Sequence, residues 1–350
     1  MKSSSRSAGT RNVPFTDADI LVPLYAPMSE RLAWDSKKAP PHNTYIGQVK
    51  LLAAEIAFIT MGISDAASDC VVVYAGAAGG HHIPALAALF PDTPFHLYDP
   101  APFAIEATDQ ITIVNGLFTD EIARYWGEYK EAYVIFISDV RTSGDTSEEH
   151  ESEVASNMTM QARWIELIQP QWWSLKFRIP YTVIEANEPF VYLGGQILYQ
   201  AYAKPLSMEL RLIGNAKNAA AGPLAVSYDS RALEQTVFFH NMHQRSQLNR
   251  YENVFTQDSK PYSDREFGHD YDPTYLLYTV KRYLEDYEAD ASDSGPEVLE
   301  AMAIKLTKKM LETTSQGRWT LASRTTAARE VGVPRKYFHR LRSPRRLGRS

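Results

Sequence analysis

The fold of this chain is constrained most by a regular alternation of short apolar runs and helical patterns over residues 49–137. Runs rich in Val, Ile, Phe and Tyr predict strands, and apolar spacings of three and four residues predict helices. The predicted strands are 71–74, 95–98, 111–114 and 133–137, and the predicted helices are 49–59, 83–89 and 121–129, the last capped by Thr119 and Asp120. This alternation indicates an α/β fold with a mostly parallel sheet and helices on both faces.

The second half of the chain adds further elements. A strand is predicted in WWSLKFRI, which carries Lys176, and another in SMELRLIG, which carries Glu209. Helices are predicted at 233–248, 275–287 and 297–314. The acidic stretch GDTSEEHESE is either a solvated loop or the start of a helix that runs to Ile168.

Cysteine content and hydropathy exclude several classes of protein. Among 350 residues Cys70 is the single cysteine, which excludes an internal disulfide framework and fits a reducing compartment. The N-terminal stretch lacks the apolar core of a signal peptide, and no apolar run reaches the length of a membrane span. The sequence therefore predicts a cytoplasmic protein without a membrane anchor.

The charge of the chain is unevenly distributed. Residues 317–350 contain ten Lys and Arg residues against one acid and carry +9, which leaves −15 on the rest of a chain with a net charge of −6. A basic segment on an acidic body indicates contact with nucleic acid or an acidic partner, and a solvated end is an equally good interpretation. We predict a flexible N-terminal arm at 1–40, a folded domain at 41–316 and a basic tail at 317–350.

A glycine-rich loop, VVVYAGAAGGHH, follows the first predicted strand. Gly76, Gly79 and Gly80 lie between this strand and a helix, where glycine permits a tight turn and close approach of a ligand. Asp99 ends the next strand, a position from which an acid can bind the ribose hydroxyls of an adenosine-containing cofactor. The spacing is not GxGxxG, so a simple turn at the edge of the sheet explains the loop about as well.

Charged residues in and beside predicted strands form a second pattern. Asp139 follows the most apolar strand, and Lys176 and Glu209 lie within two later strands, where charges are rare unless exposed or paired. With Lys50 on the first helix, these groups can meet at the end of the sheet where α/β folds bind ligands. A lysine acts as a base near neutral pH only where its surroundings favour the neutral amine. Burial favours the neutral amine, whereas nearby carboxylates favour the charged form. Two unrelated surface ion pairs are the competing interpretation.

Five stretches carry a family resemblance: GQVKLL, VVYAGAAGGHHI, ISDVR, SLKFRIP and SMELRLI, in this order within residues 43–245. In them the chain resembles the poxvirus cap-specific mRNA 2′-O-methyltransferases, which also serve as the regulatory subunit of the viral poly(A) polymerase. The resemblance implies a Rossmann-like methyltransferase fold with a mixed sheet of about seven strands. It also implies methyl transfer from S-adenosyl-L-methionine to the ribose 2′-hydroxyl of the first transcribed nucleotide of capped RNA.

The resemblance assigns roles to residues in these stretches. The family's catalytic Lys-Asp-Lys-Glu set falls on Lys50, Asp139, Lys176 and Glu209. Lys176 is then expected to accept or steer the proton of the 2′-hydroxyl, while the other three tune its proton affinity and hold the hydroxyl in line for transfer. Arg141 in ISDVR and Arg178 in SLKFRIP are expected to face the RNA.

The resemblance also implies a cofactor site. The family's contacts fall on Gln48, Tyr74, Gly76, Gly80, Asp99 and Asp139, with Phe118 where an apolar residue packs on adenine. One departure is Ala101, which stands where the family has an arginine just after the ribose-binding acid. The contacts to adenosine are expected to differ there.

The implied cap site is less complete. Tyr181 matches one of the two aromatic residues that enclose the methylated guanine in the family, and Glu234 matches one of the acids at its polar edge. A positively charged purine suits aromatic stacking and acid acceptors. The second acid position is Val183 here, and the second aromatic is either Tyr25 or Trp34. The affinity for the cap is expected to be reduced, or other residues are expected to supply the missing contacts.

Two other functions compete with this one. The first is an RNA-binding accessory subunit that forms a heterodimer with a poly(A) polymerase catalytic subunit and transfers no methyl group; the intact four-residue set favours an enzyme. The second is a nicotinamide-dependent dehydrogenase, which the glycine loop and Asp99 alone suggest and which gives Lys176 and Glu209 no role.

No resident metal is expected. The pairs His81–His82 and His240/His243 are the histidine candidates, but no acid or cysteine completes either set at a suitable spacing.

Overall fold

The computed structural model describes residues 12–23, 31–35, 37, 47–64, 69–142, 146–204, 206–216, 225–246, 248–287 and 295–316. Several sequence predictions therefore lie outside the described residues: Tyr25, much of the proposed arm at 1–40, and the whole basic tail at 317–350.

Strands and helices alternate along the first half of the chain. The strands in the described residues are β1 (Leu21–Pro23), β2 (Cys70–Ala75), β3 (Phe95–Asp99), β4 (Ile111–Asn115), β5 (Tyr133–Ser138), β6 (Trp172–Phe177), β7 (Pro189–Leu193), β8 (Gln196–Leu198), β9 (Leu210–Asn215) and β10 (Ala225–Asp229). The helices are α1 (Asp17–Ile20), α2 (Gly47–Ser64), α3 (Ile83–Leu89), α4 (Asp120–Glu128), α5 (Ser147–Ile168), α6 (Tyr181–Ala186), α7 (Ser230–Phe239), α8 (Tyr271–Tyr287) and α9 (Pro296–Gln316). A π-helical turn, His240–Gln244, continues α7.

Eight strands form one mixed sheet in the order β1-β8-β9-β6-β5-β2-β3-β4. The five strands from β4 to β6 in this order are parallel, and β9, β8 and β1 follow in antiparallel pairing. The expected Rossmann-like α/β fold is confirmed. The sheet has one strand more than expected because β1, from the N-terminal segment, pairs with β8.

The predicted helices and strands of the first half are confirmed to within a few residues, apart from helix α2, which extends to Ser64. Glu209 differs, because it directly precedes β9 and does not lie within it. The acidic stretch begins a helix: the Thr146 side chain accepts the backbone N–H of Glu149, and the Glu149 carboxylate accepts that of Thr146. This reciprocal pair starts α5 at Ser147.

Helices cover both faces of the sheet and bury two apolar cores. Alternate residues of one strand enter opposite cores, as Ile135 and Phe136 of β5 do. Helices α2, α3, α8 and α9 cover one face, and α4, α5, α6 and α7 cover the other. Burial on both faces explains why the parallel strands read as continuous apolar runs. No helix in the described part of the chain combines the length and apolarity that a bilayer span requires.

The N-terminal segment differs from the predicted flexible arm where the structure describes it. Phe15 and Ile20 are buried, and the Phe15 ring lies 5.0 Å from that of Tyr251 and 5.6 Å from that of Tyr271, centroid to centroid. Burial of one phenylalanine stabilises a fold by about 1.5–3 kcal/mol. Residues 12–23 are therefore part of the folded domain.

One of the candidate metal-binding histidines is a core residue. His240 is buried, and its ring is stacked 4.0 Å from that of Tyr199. Its Nδ1 lies 2.5 Å from Oε1 of Gln244. Burial lowers the pKa of His240 from 6.5 to about 3.

This burial makes stability depend on pH. Between pH 6.5 and 3 the unfolded chain binds a proton at His240 that the folded chain does not, so the contribution to stability is complete above pH 6.5 and is lost as the pH falls. The loss amounts to about 1.4 kcal/mol per pH unit. Urea unfolding at pH 7 and pH 5 should show a smaller pH dependence for His240→Phe than for the wild type. The exposed His243, replaced by Gln, is the control and should keep the wild-type dependence.

Candidate functional site

The sheet topology brings four distant residues to one place. Asp139 directly follows β5 and Lys176 lies near the end of β6, and these strands are neighbours and parallel. Because β9 runs antiparallel to β6, its first residues lie beside the carboxyl ends of β5 and β6, and this is where Glu209 stands. Lys50 comes from the first turn of α2.

These four side chains form a continuous ionic cluster. Nζ of Lys176 lies 3.3 Å from Oδ1 of Asp139 and 3.4 Å from Oε2 of Glu209. Nζ of Lys50 donates a hydrogen bond to Oε1 of Glu209. All four side chains are between 12% and 20% exposed, so they are largely desolvated and yet open to a ligand. The competing interpretation of two unrelated surface pairs does not fit this geometry.

A fifth group, Arg211, supports the cluster from below and was missed by the sequence analysis. Its guanidinium is 1% exposed and donates to the Ser138 carbonyl at 3.0 Å and to Oδ1 of Asp139 at 2.5 Å. Arg211 is the cross-strand partner of Lys176, so both side chains leave the same face of the sheet. The signal in the sequence was an arginine between two leucines of an otherwise apolar strand.

The electrostatics keep both carboxylates ionised. Burial alone would raise the pKa of Asp139, but the charges of Arg211 and Lys176 outweigh it, and the pKa lies below its usual value. Burial of Glu209 is likewise outweighed, by Lys176 and Lys50, and its pKa is strongly lowered. The Lys176 amine is thus held between two fixed negative charges and the Lys50 amine against one, which orients their N–H bonds.

A cavity of about 540 Å³ opens above the cluster. Five cationic side chains line it against two carboxylates: Lys50, Arg141, Lys176, Arg178 and Lys204 against Asp139 and Glu209. One of the five, Arg178, is in addition paired with Glu151. Nη1 of Arg141 is buried and has no hydrogen-bond partner among the residues that the structure describes. On a chain of net charge −6, this is a local positive site of the kind that binds phosphate.

The glycine loop approaches the cluster closely. Gly76 has φ +82°, and a Cβ there would lie 2.7 Å from the backbone N of Val140 and 2.9 Å from the carbonyl carbon of Asp139. Gly80 also has a positive φ, 62°, and lies against Ile105. Asp99 fixes the loop by accepting the backbone N–H of Ala78 at 2.9 Å.

The loop fits an adenosine-containing cofactor. Its glycines let the backbone turn at positive φ and pack tightly against Val140, and Asp99 lies beside the loop with two carboxylate oxygens. The other Asp99 oxygen accepts the backbone N–H of Ala101 at 2.8 Å. Each oxygen keeps a further acceptor position for a ribose hydroxyl.

Gln48 and Tyr74 are joined by a buried hydrogen-bond network that the sequence analysis did not foresee. The Tyr74 hydroxyl donates to Glu55 at 2.6 Å, and Nε2 of His82 lies 2.9 Å from the other Glu55 oxygen. Nδ1 of His82 lies 2.9 Å from Oε1 of Gln48. His82, Glu55 and Tyr74 are each at most 2% exposed. The network links α2, β2 and the glycine loop, and it gives His82 a structural environment rather than that of a metal ligand.

Phe118 lies deeper than an adenine-stacking residue at the protein surface would. It is 7% exposed, and its ring lies 5.1 Å from that of Tyr98 and 4.9 Å from that of Trp164.

Among the described residues, no group of three or more His, Cys, Asp and Glu is arranged to hold a metal ion.

The residues matched to a cap site lie on two neighbouring helices. Tyr181 starts α6 and lines the cavity, whereas Glu234 on α7 is buried and 3.4 Å from Arg231. Burial raises the pKa of Glu234. Trp34 is 42% exposed, and its ring lies 6.5 Å from that of Phe238, also on α7. Trp34 is thus the candidate second aromatic that the structure describes.

Replacement of Gly76 by Ala should show how far the site depends on this close approach. Gly76→Ala places a methyl group against the backbone of Val140 in a backbone conformation that disfavours side chains, and we expect a loss of about 2 kcal/mol in the free energy of unfolding. Gly116→Ala is the matched control, because its Cβ would meet no atom of the described residues within 4 Å and its φ is not positive. Urea denaturation of the two variants should differ clearly; equal midpoints would contradict the packing described here.

Comparison with known proteins finds a matching family model and several viral relatives. The family model described as "Poly A polymerase regulatory subunit" matches residues 24–288. The proteins named "Cap-specific mRNA (nucleoside-2′-O-)-methyltransferase" in Myxoma virus, strains Lausanne and Uriarra, are 26% identical over 270 residues, which is 72% of this chain and 74% of theirs. The Fowlpox virus (strain NVSL) protein of the same name is 27% identical over 183 residues, 48% of this chain and 57% of its own.

Proposed function

Because the chain belongs to the poly(A) polymerase regulatory subunit family, we propose that it is a cap-specific mRNA 2′-O-methyltransferase. It would transfer a methyl group from S-adenosyl-L-methionine to the ribose 2′-hydroxyl of the first transcribed nucleotide of capped RNA. The observation that carries the proposal is the Lys50–Asp139–Lys176–Glu209 cluster at the floor of a positively charged cavity.

The chain's own residues would position the acceptor. Lys176 would hydrogen-bond the 2′-hydroxyl and steer or accept its proton, while Asp139 and Glu209 fix the direction of the amine. Lys50 anchors Glu209 from the helix side, and Arg211 anchors Asp139 from the sheet side. Rigid support from two directions is what a reaction limited by alignment requires.

The cofactor, when bound, supplies a methyl group on a positively charged sulfur, which makes it an effective methyl donor. We propose that Asp99 binds its ribose and that Gly76 and Gly80, both at positive φ, let the loop turn so that its backbone can face the cofactor. Gln48, Tyr74 and Asp139 would complete the site, and Phe118 would support the adenine from within the core.

RNA would enter through the charges that line the cavity. Arg141 has a buried N–H without a partner among the described residues, which makes it the best candidate to bind a phosphate of the RNA. We propose that Tyr181, Trp34 and Glu234 receive the methylated guanine of the cap. Arg178 would contribute to the same wall of the cavity.

A second role follows from the name of the family. We propose that the protein also pairs with a poly(A) polymerase catalytic subunit as its regulatory subunit. The two roles are compatible, because the ionic cluster occupies one end of the sheet and leaves other surfaces for a partner. The alternative to the enzyme is a purely RNA-binding accessory subunit.

The proposed reaction can be tested with three RNAs of one sequence. Labelled S-adenosyl-L-methionine should transfer its methyl group to RNA with a 7-methylguanosine cap. It should not label the same RNA without a cap, nor capped RNA with a 2′-deoxyribose at the first transcribed position. Binding of all three RNAs without any methyl transfer would refute the enzyme and favour the accessory subunit.

A further inference from the structure

One face of the Tyr181 ring is covered by a cation of the protein. The Arg178 guanidinium carbon lies 4.4 Å from the centre of the ring. Arg178 is 8% exposed, so this contact is largely desolvated, where a cation and an aromatic face attract each other most strongly. A purine at Tyr181 therefore has only the other face of the ring on which to stack.

Arg178 is held in this position by Glu151 on α5. Nη2 of Arg178 donates to Oε1 of Glu151 at 2.7 Å, and Nη1 donates to Oε2 at 3.0 Å. The same Oε2 accepts the backbone N–H of Tyr181 at 2.6 Å. One buried carboxylate thus fixes both the guanidinium and the first residue of α6.

Glu151 also cancels the charge of Arg178. Burial alone would raise the pKa of Glu151, but the hydrogen bonds from Arg178 and from the Tyr181 backbone outweigh it, and the pKa lies below its usual value. The carboxylate is therefore ionised at neutral pH. The Tyr181 ring lies beside a neutral ion pair rather than beside an isolated cation.

We propose that Glu151 is a positioning residue that gives the Tyr181 face its preference for a positively charged, N7-methylated purine over a neutral one. The inference rests on the proposed cap-binding function. With Glu151 ionised, the ring can attract a second cation on its open face. Without it, the Arg178 charge would lie on the opposite side of the same ring and would repel that cation through a poorly screened, half-buried environment.

The test is a ratio of affinities measured in the full chain. Dissociation constants for 7-methyl-GTP and GTP are determined by titration calorimetry for the wild type, Glu151→Gln and Arg178→Gln. We expect the preference for 7-methyl-GTP to fall about threefold in Glu151→Gln. In Arg178→Gln the preference should be kept or should rise, because the unbalanced charge is then negative. Glu148→Gln, which removes an exposed carboxylate from the same helix, should match the wild type.

The outcomes separate this inference from the proposed function. If Glu151→Gln weakens the binding of 7-methyl-GTP and GTP by the same factor, the inference is overturned and Glu151 has a structural role. If the wild type does not prefer 7-methyl-GTP over GTP, both the inference and the proposed cap recognition are overturned. Binding of S-adenosylhomocysteine checks that each variant is folded. If Glu151→Gln does not fold, a reduced preference in Arg178→Gln is the result that overturns the inference.

Discussion

Lys176→Ala is expected to lower kcat for methyl transfer to capped RNA by about 10³-fold and to change the affinity for S-adenosyl-L-methionine by less than about twofold. The amine lies between Asp139 and Glu209, at 3.3 and 3.4 Å, on the floor of the cavity. Its loss removes the group that would hold the 2′-hydroxyl and leaves the glycine loop intact. Single-turnover transfer and cofactor titration measure the two effects separately.

Two further lysine variants make this result specific. Lys130→Ala removes an exposed lysine whose amine donates to the Gly127 carbonyl, and it should retain the wild-type rate. Lys176→Arg keeps a cation between the two carboxylates but cannot release its proton. An inactive Lys176→Arg would favour proton acceptance, and partial activity would favour steering. Full activity of Lys176→Ala would contradict the proposed catalytic role.

Arg211→Met is expected to have the largest effect on stability, a loss of about 3–5 kcal/mol in the free energy of unfolding. The substitution leaves the Ser138 carbonyl without its donor and leaves Asp139 with one fewer cation in a buried setting. Urea denaturation at pH 7 measures the loss. Arg163→Met is the control, because Arg163 forms a solvent-exposed pair with Asp120 and its loss should leave the midpoint nearly unchanged.

A double variant tests whether the cost comes from the unpaired acid. Adding Asp139→Asn to Arg211→Met removes the charge that Arg211 balanced. The double variant should therefore lose less unfolding free energy than the two single variants lose together. Strict additivity would mean that Arg211 stabilises the fold by packing alone. The double variant should also be inactive in methyl transfer, because Asp139 contacts Lys176.

The four clustered residues were predicted as a set through the family resemblance, and a physical reason in the sequence supports two of them. Strands rich in Val, Ile and Phe were recognisable, and parallel strands end at the same edge of a sheet, so charges that follow them converge. Asp139 directly follows such a strand, and Lys176 lies near the end of its neighbour. Glu209 was placed within a strand rather than just before it, but its neighbourhood was unchanged because β9 is antiparallel to β6.

The supporting residues could not be predicted in the same way. Arg211 lies beneath Asp139 because of the register between β6 and β9, and Glu151 meets Arg178 because α5 packs beside the end of β6. Register and helix packing are tertiary properties that periodicity does not specify. The strands β1 and β8 were missed because three residues give too little alternation to recognise, and the five-residue strands β7 and β10 were missed as well.

The position of the transferred methyl group tests the central claim most directly. Wild-type protein, S-adenosyl-L-methionine and RNA with a 7-methylguanosine cap are incubated, and the RNA is digested and examined by mass spectrometry. The cluster of Lys50, Asp139, Lys176 and Glu209 predicts one added methyl group, on the ribose of the first transcribed nucleotide. A methyl group on a base or on an internal ribose, or none at all, would contradict it.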